Sequence, residues 1–109
     1  MKLLTKAIEA KLRKNQADFQ NGESDHVPPL KLFCPWGSAT WLITEIDEDG
    51  DRMFGLCDLG MDCVELGYVS LSELKALRGP FGLGIERDML ARLYRVSSGT
   101  IYNIIRVQA

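Results

Sequence analysis

The stretch TWLITEIDEDGDRMFGLC, residues 40–57, decides the fold of this chain. Residues 40–46 are rich in β-branched and aromatic side chains, which favours a β-strand. The acidic segment 47–51 contains an Asp-Gly pair, a turn sequence that joins antiparallel strands. Residues 52–57 are therefore predicted to be the return strand of a hairpin.

The pattern continues on both sides of this hairpin. After a second predicted turn at 58–62, residues 64–69 form another strand, and the alternating segment 30–34 precedes the hairpin as a short strand. The sequence thus predicts an antiparallel meander of three to four strands with short connections.

Helices are predicted before and after the strands. Residues 2–14 carry apolar side chains at helical spacing, which predicts an N-terminal amphipathic helix, and the polar segment 15–29 is a predicted loop. A capping box at residues 70–73 starts a helix that runs to residue 78, where Gly79-Pro80 ends it.

The C-terminal part is predicted to hold two more helices, at residues 85–94 and 99–106, after the connector 81–84. The predicted fold class is α+β: an antiparallel meander packed with an N-terminal helix and C-terminal helices. We expect one domain, 1–109, made of an α+β body, 2–84, and a helical pair, 85–106.

Size and charge limit the classes of protein to which the chain can belong. It has 109 residues, 46% of them hydrophobic, and a net charge of -2. One hydrophobic core is expected at this length. No apolar run approaches the roughly 20 residues that are needed to span a bilayer. The N-terminal residues also lack a signal-peptide core, so we expect a cytoplasmic protein without a membrane segment. Because acidic residues outnumber basic ones, the overall charge of the protein argues against nonspecific electrostatic binding to nucleic acids.

We expect no metal site and no cofactor. Cys34, Cys57, Cys63 and the single histidine, His26, match no common zinc or redox spacing, so the cysteines are predicted to be free thiols. The acidic segment 47–51 resembles a calcium loop but lacks its later ligands, which favours a solvated hairpin tip.

Two other features have alternative interpretations. Glu86-Arg87-Asp88 is suited either to acid–base chemistry or to a structural ion-pair cluster at a helix start, and we favour the latter. Trp41 is predicted to be a core residue, whereas Trp36, in a loop after a proline, is expected to be an exposed contact for a protein partner. We expect no catalytic residue and a protein that is not an enzyme.

The middle of the chain resembles a known bacterial family, catalogued as domain of unknown function 2958. The resemblance covers about residues 2–90 and is carried by five segments in order: WLITE (41–45), FGL (54–56), ELGY (65–68), SEL (72–74) and RGPFGLGIERD (78–88). It implies a protein of a bacterial mobile genetic element. It implies no activity, cofactor or site residue.

The C-terminal segment LARLYRVSSGTIYNIIR, residues 90–106, is similar to a resolvase-like helix-turn-helix. Its apolar residues have the spacing of two crossing helices, and Ser97 is placed to cap the second helix. Segment 86–109 has four arginines against two carboxylates. The residues predicted to contact DNA are Ser97, Ser98, Gly99, Thr100, Tyr102, Asn103 and Arg106. The alternative is a pair of packed helices that completes the core.

Two functions follow from these features. The first is a non-enzymatic DNA-binding accessory or regulatory protein of a mobile element, which binds duplex DNA as a homodimer. The second is a protein–protein interaction module, a host- or defence-modulating factor, that binds a protein partner through Trp36 and its acidic surface without contacting DNA.

Overall fold

The computed structural model describes residues 3–20, 28–60 and 64–88. An N-terminal helix, α1, is followed by four strands, a short helix and a last strand. In chain order the elements are α1 (Lys6–Gln20), β1 (Leu30–Phe33), β2 (Thr40–Ile46), β3 (Arg52–Asp58), β4 (Val64–Ser70), α2 (Leu71–Ala76), a 3-10 turn (Pro80–Gly82) and β5 (Glu86–Arg87).

The strands form one antiparallel sheet in the order β4-β3-β2-β1-β5. This confirms the α+β class and the meander of β1 to β4. The predicted bounds of β2 are correct, and β3 and β4 each extend one residue beyond their predicted ends. The hairpin between β2 and β3 closes through Asp49, whose Oδ1 accepts hydrogen bonds from the N–H groups of Asp51 and Arg52.

Within the described residues the sheet has five strands instead of three or four, because residues 86–87 pair with β1. Glu86 lies opposite Phe33 and Arg87 opposite Leu32, and the N–H of Asp88 donates to the carbonyl of Lys31. The prediction of a helix from residue 85 was therefore wrong for residues 85–88. Pairing with a strand distant in sequence overrides the local helical spacing.

The helix α1 lies over β2, and its position was only partly predicted. It begins at Lys6, where Thr5 Oγ1 accepts a hydrogen bond from the N–H of Ile8, and it runs to Gln20, six residues past its predicted end. Asn15, predicted to start a loop, is in the helix and donates from Nδ2 to the carbonyl of Thr44, 2.9 Å away.

One face of the sheet, together with α1 and α2, encloses the core. Core side chains come from both helices and from the sheet. The most deeply buried are Leu12, Leu30, Leu32, Ile43, Ile46 and Met53. Trp41 is buried among them, as predicted, and α2 contributes Leu71 and Leu74. None of the helices within the described residues is long and apolar enough to cross a bilayer.

Candidate functional site

The loop that follows α2 is closed at its base by its own backbone. α2 ends at Ala76, two residues before its predicted end, and Arg78 then forms a β-bridge with Gly84. The N–H of Gly79 donates to the carbonyl of Leu83 at 2.7 Å. We refer to residues 77–84 as the Phe81 loop.

Phe81 stands at the tip of this loop. The N–H of Gly82 donates to the carbonyl of Gly79, and the N–H of Leu83 donates to that of Pro80, both at 3.2 Å. These bonds hold Phe81 at φ 60° and ψ 23°, a left-handed conformation that costs an L-residue about 1 kcal/mol or more. The side chain is fully exposed, at 102%. No burial in the described chain compensates this strain.

Trp36 packs against the base of the Phe81 loop. It lies in a turn closed by the bond from the Gly37 N–H to the Cys34 carbonyl, and it is half-buried against the core. A Cβ on Gly79 would stand 2.6 Å from Cε2 and Cε3 of the indole, well inside the roughly 3.5–4.0 Å contact distance of carbon atoms. Trp36 is therefore less exposed than we expected, and it contacts the base of the Phe81 loop.

Exposed apolar side chains are concentrated on this loop. Leu77 is 45% exposed and Leu83 is 42% exposed, on either side of the fully exposed Phe81. A single exposed apolar residue is ordinary on a protein surface, whereas three within seven residues on a hydrogen-bonded loop are typical of an interaction site.

A groove of about 770 Å³ lies beside the loop. Its apolar lining includes Leu3, Leu4 and Leu74, and its charged lining comprises Lys75, Arg78 and Glu86. The Arg78 guanidinium donates to the carbonyls of Lys75 and Leu77, so it holds the end of α2 against the start of the loop.

The other end of α2 is fixed to the hairpin that joins β2 and β3. Ser70 caps the helix by accepting from the Glu73 N–H, as the capping box predicted. Asp51 accepts from the Ser70 hydroxyl at 2.6 Å and from the Ser72 N–H at 2.7 Å. These hydrogen bonds lower the pKa of Asp51 below its ordinary value. The helix that leads into the Phe81 loop is thus anchored at both ends.

The other residues with predicted chemistry are dispersed or have structural contacts. Asp88 pairs with Lys31 at 3.4 Å just after β5, so this carboxylate forms an ion pair beside the sheet and not at a helix start. Cys34 and Cys57 are free thiols, and burial raises the pKa of Cys57. Within the described ranges, no three His, Cys, Asp or Glu side chains converge to hold a metal ion.

The seven residues predicted to contact DNA, from Ser97 to Arg106, lie outside the described residues, as do His26 and Cys63. The Phe81 loop was not predicted to be a site, since its sequence was interpreted as a connector. An aromatic residue inside the glycine- and proline-rich segment GPFG (79–82) was the signal available, because a bulky side chain is unusual where a turn favours glycine.

The sequence of this chain matches one family of proteins. The family model described as "Protein of unknown function (DUF2958)" matches residues 3–98. The chain belongs to this family. The match includes Trp36, the whole Phe81 loop and all five segments that carried the resemblance. It ends at residue 98, inside the predicted helix-turn-helix.

No curated protein and no solved structure is similar to this member of the family at a significant level. The helix-turn-helix resemblance has no support in these comparisons.

Proposed function

We propose that this protein is a non-enzymatic protein-interaction module, and that Phe81 is the side chain it inserts into an apolar pocket of a protein partner. The observation that carries the proposal is the full exposure of Phe81 at positive φ. Backbone strain at an exposed aromatic residue is typical of positions kept for function.

The support beneath Phe81 favours binding. The loop is closed by hydrogen bonds and rests on Trp36, so little conformational freedom is lost when a partner binds. A large aromatic side chain at the centre of an interface commonly contributes about 2 kcal/mol or more. Leu77 and Leu83 would surround it with further apolar contacts. Trp36 takes a positioning role here, in place of the direct contact expected from the sequence.

Quantitative affinity purification from bacterial lysate tests this proposal. Wild type is compared with Phe81→Asn and with Leu59→Asn, which changes an exposed leucine (43%) in the connection after β3. We expect Phe81→Asn to lose a discrete protein that wild type and Leu59→Asn both retain. The same set of proteins with all three baits would contradict the proposal.

Duplex-DNA binding by a mobile-element accessory protein remains a second prediction, and its support is the sequence of residues 90–106 alone. Its test is a fluorescence-anisotropy titration at about 50 and 200 mM salt, because phosphate contacts lose affinity steeply across that range. Salt-sensitive binding weakened by Arg106→Ala and Asn103→Ala would support it. No binding at low salt would contradict it. The cytoplasmic location is also a proposal from sequence.

A further inference from the structure

The strand β4 forms one edge of the sheet. Among the described residues it pairs only with β3, and that pairing is regular along all seven positions from Val64 to Ser70. The sequence VELGYVS contains no proline and no lysine. Natural edge strands usually carry such residues, or a bulge, to prevent pairing with another chain. β4 has no proline, lysine or bulge, and its one charged residue is Glu65.

Two exposed apolar side chains lie on one face of this edge. Leu66 is 39% exposed and Tyr68 is 57% exposed, and residues two apart on a strand share a face. The Tyr68 ring contacts Phe54 edge-on, with centroids 5.1 Å apart, and the Arg52 guanidinium lies 3.7 Å from the Tyr68 ring centroid. Tyr68 is thus held in place although it is largely exposed.

We propose that the β4 edge binds β4 of a second copy of this chain in an antiparallel pair, centred on Gly67. Gly67 is the midpoint of the strand, so a twofold axis there pairs all seven residues of each copy. Leu66 then lies opposite Tyr68 of the second copy, and Tyr68 lies opposite its Leu66. Each exposed apolar side chain thus gains an apolar cross-strand neighbour.

Side chains at the remaining positions are compatible with this register. A Cβ on Gly67 would meet nothing within 4 Å, so the sheet face at the centre of β4 has room for a side chain. The single charged residue of the strand, Glu65, lies opposite Val69 of the second copy. The two Glu65 positions are then four residues apart, about 13 Å along the strand. That separation exceeds the Debye length of about 8 Å at physiological salt, so their repulsion is weak.

The five described strands of each copy then form one continuous sheet, joined through a small interface. Seven residue pairs and four apolar side chains place it at the lower end of specific interfaces, so we expect a dissociation constant on the order of micromolar. This surface is separate from the Phe81 loop, and the dimer does not depend on the proposed function.

Sedimentation velocity across the micromolar range tests the dimer. Wild type is expected to shift from monomer to dimer as its concentration rises, and Tyr68→Lys to remain monomeric because two like charges would enter the paired edge. Leu77→Lys, a matched change on the Phe81 loop, should still dimerise. A monomeric wild type at every concentration, or a dimer retained by Tyr68→Lys, would overturn the proposal.

Disulfide trapping tests the register. In an antiparallel pair centred on residue 67, the two Cα atoms at that position are about 4.5–5.5 Å apart, within disulfide range. Gly67→Cys should therefore form a disulfide-linked dimer under mild oxidation, while Glu65→Cys should not exceed the wild-type background from the native thiols. Equal cross-linking by the two variants would overturn the register.

Discussion

The indole of Trp36 lies against the backbone of Gly79, so close that any side chain at position 79 would overlap the ring. This contact joins the turn after β1 to the base of the Phe81 loop, 43 residues later in the sequence. It explains how the base of a glycine-rich loop is held in a defined place. The tryptophan supplies a rigid surface, and the missing Cβ of Gly79 allows the backbone to reach it.

Gly79→Ala should disturb this contact. The added Cβ must displace either the indole or the loop, and overpacking of this kind typically costs about 1–3 kcal/mol. We expect the free energy of unfolding in urea to fall by that amount. Gly37→Ala is the control, because its Cβ would meet Cys34 Sγ at 3.5 Å, an ordinary contact. Equal stability of the two variants would show that the contact is not close in solution.

Phe81→Gly should leave the free energy of unfolding nearly unchanged. The substitution relieves the positive-φ strain, but glycine adds about 0.4–1 kcal/mol of unfolded-state entropy, so the two effects largely cancel. Replacement of a buried phenylalanine typically costs about 3–5 kcal/mol. Thermal or urea unfolding measures the difference. A fall of about 3–5 kcal/mol in the free energy of unfolding would mean that Phe81 is packed inside the protein and is not a docking residue.

Asn15→Ala should destabilise the packing of α1 on the sheet. The β-bulge between Ile43 and Glu45 in β2 leaves the carbonyl of Thr44 to be satisfied by the Asn15 amide. Loss of that donor should cost about 1–2 kcal/mol in the free energy of unfolding. Gln16→Ala, the neighbouring change in the same helix, is the control for helix propensity. A smaller effect at position 15 than at 16 would contradict this role.

Asp51 should contribute an acid-sensitive part of the stability. Its folded pKa is lowered by the hydrogen bonds from Ser70 and Ser72. Its contribution is therefore complete well above the unfolded carboxyl pKa of about 3.9 and is lost as pH falls through the folded pKa. Melting temperatures of wild type and Asp51→Asn should differ near neutral pH and converge in acid. A constant difference at all pH values would contradict the linkage.

The strands of the sheet could be predicted where neighbouring residues in the sequence determine them. An Asp-Gly turn after a segment rich in β-branched and aromatic residues sets the β2–β3 hairpin, and a second short turn, at 58–62, leads into β4. The short β5 was missed because Glu86 and Arg87 become a strand only by pairing with β1, more than 50 residues earlier. A local helical spacing carries no information about such a partner.

The C-terminal end of α1 and the candidate site also depend on contacts between residues that are distant in the sequence. Asn15 is a poor helix former on its own and lies in the helix where its amide reaches the Thr44 carbonyl. The Trp36–Gly79 contact could not be predicted, since neither residue has a local signal for the other. Phe81 lies on a loop that packs through Gly79 against Trp36 and is closed by the Arg78–Gly84 bridge.

The most direct test of the docking proposal is site-specific photo-cross-linking in living bacteria. A benzophenone amino acid replaces Phe81, and the same group at the exposed helix position Lys11 is the control. We predict a discrete adduct of defined mass from position 81, absent from position 11, sensitive to protease and resistant to nuclease. No adduct, the same adducts from both positions, or a nuclease-sensitive adduct would contradict the claim that Phe81 binds a protein partner.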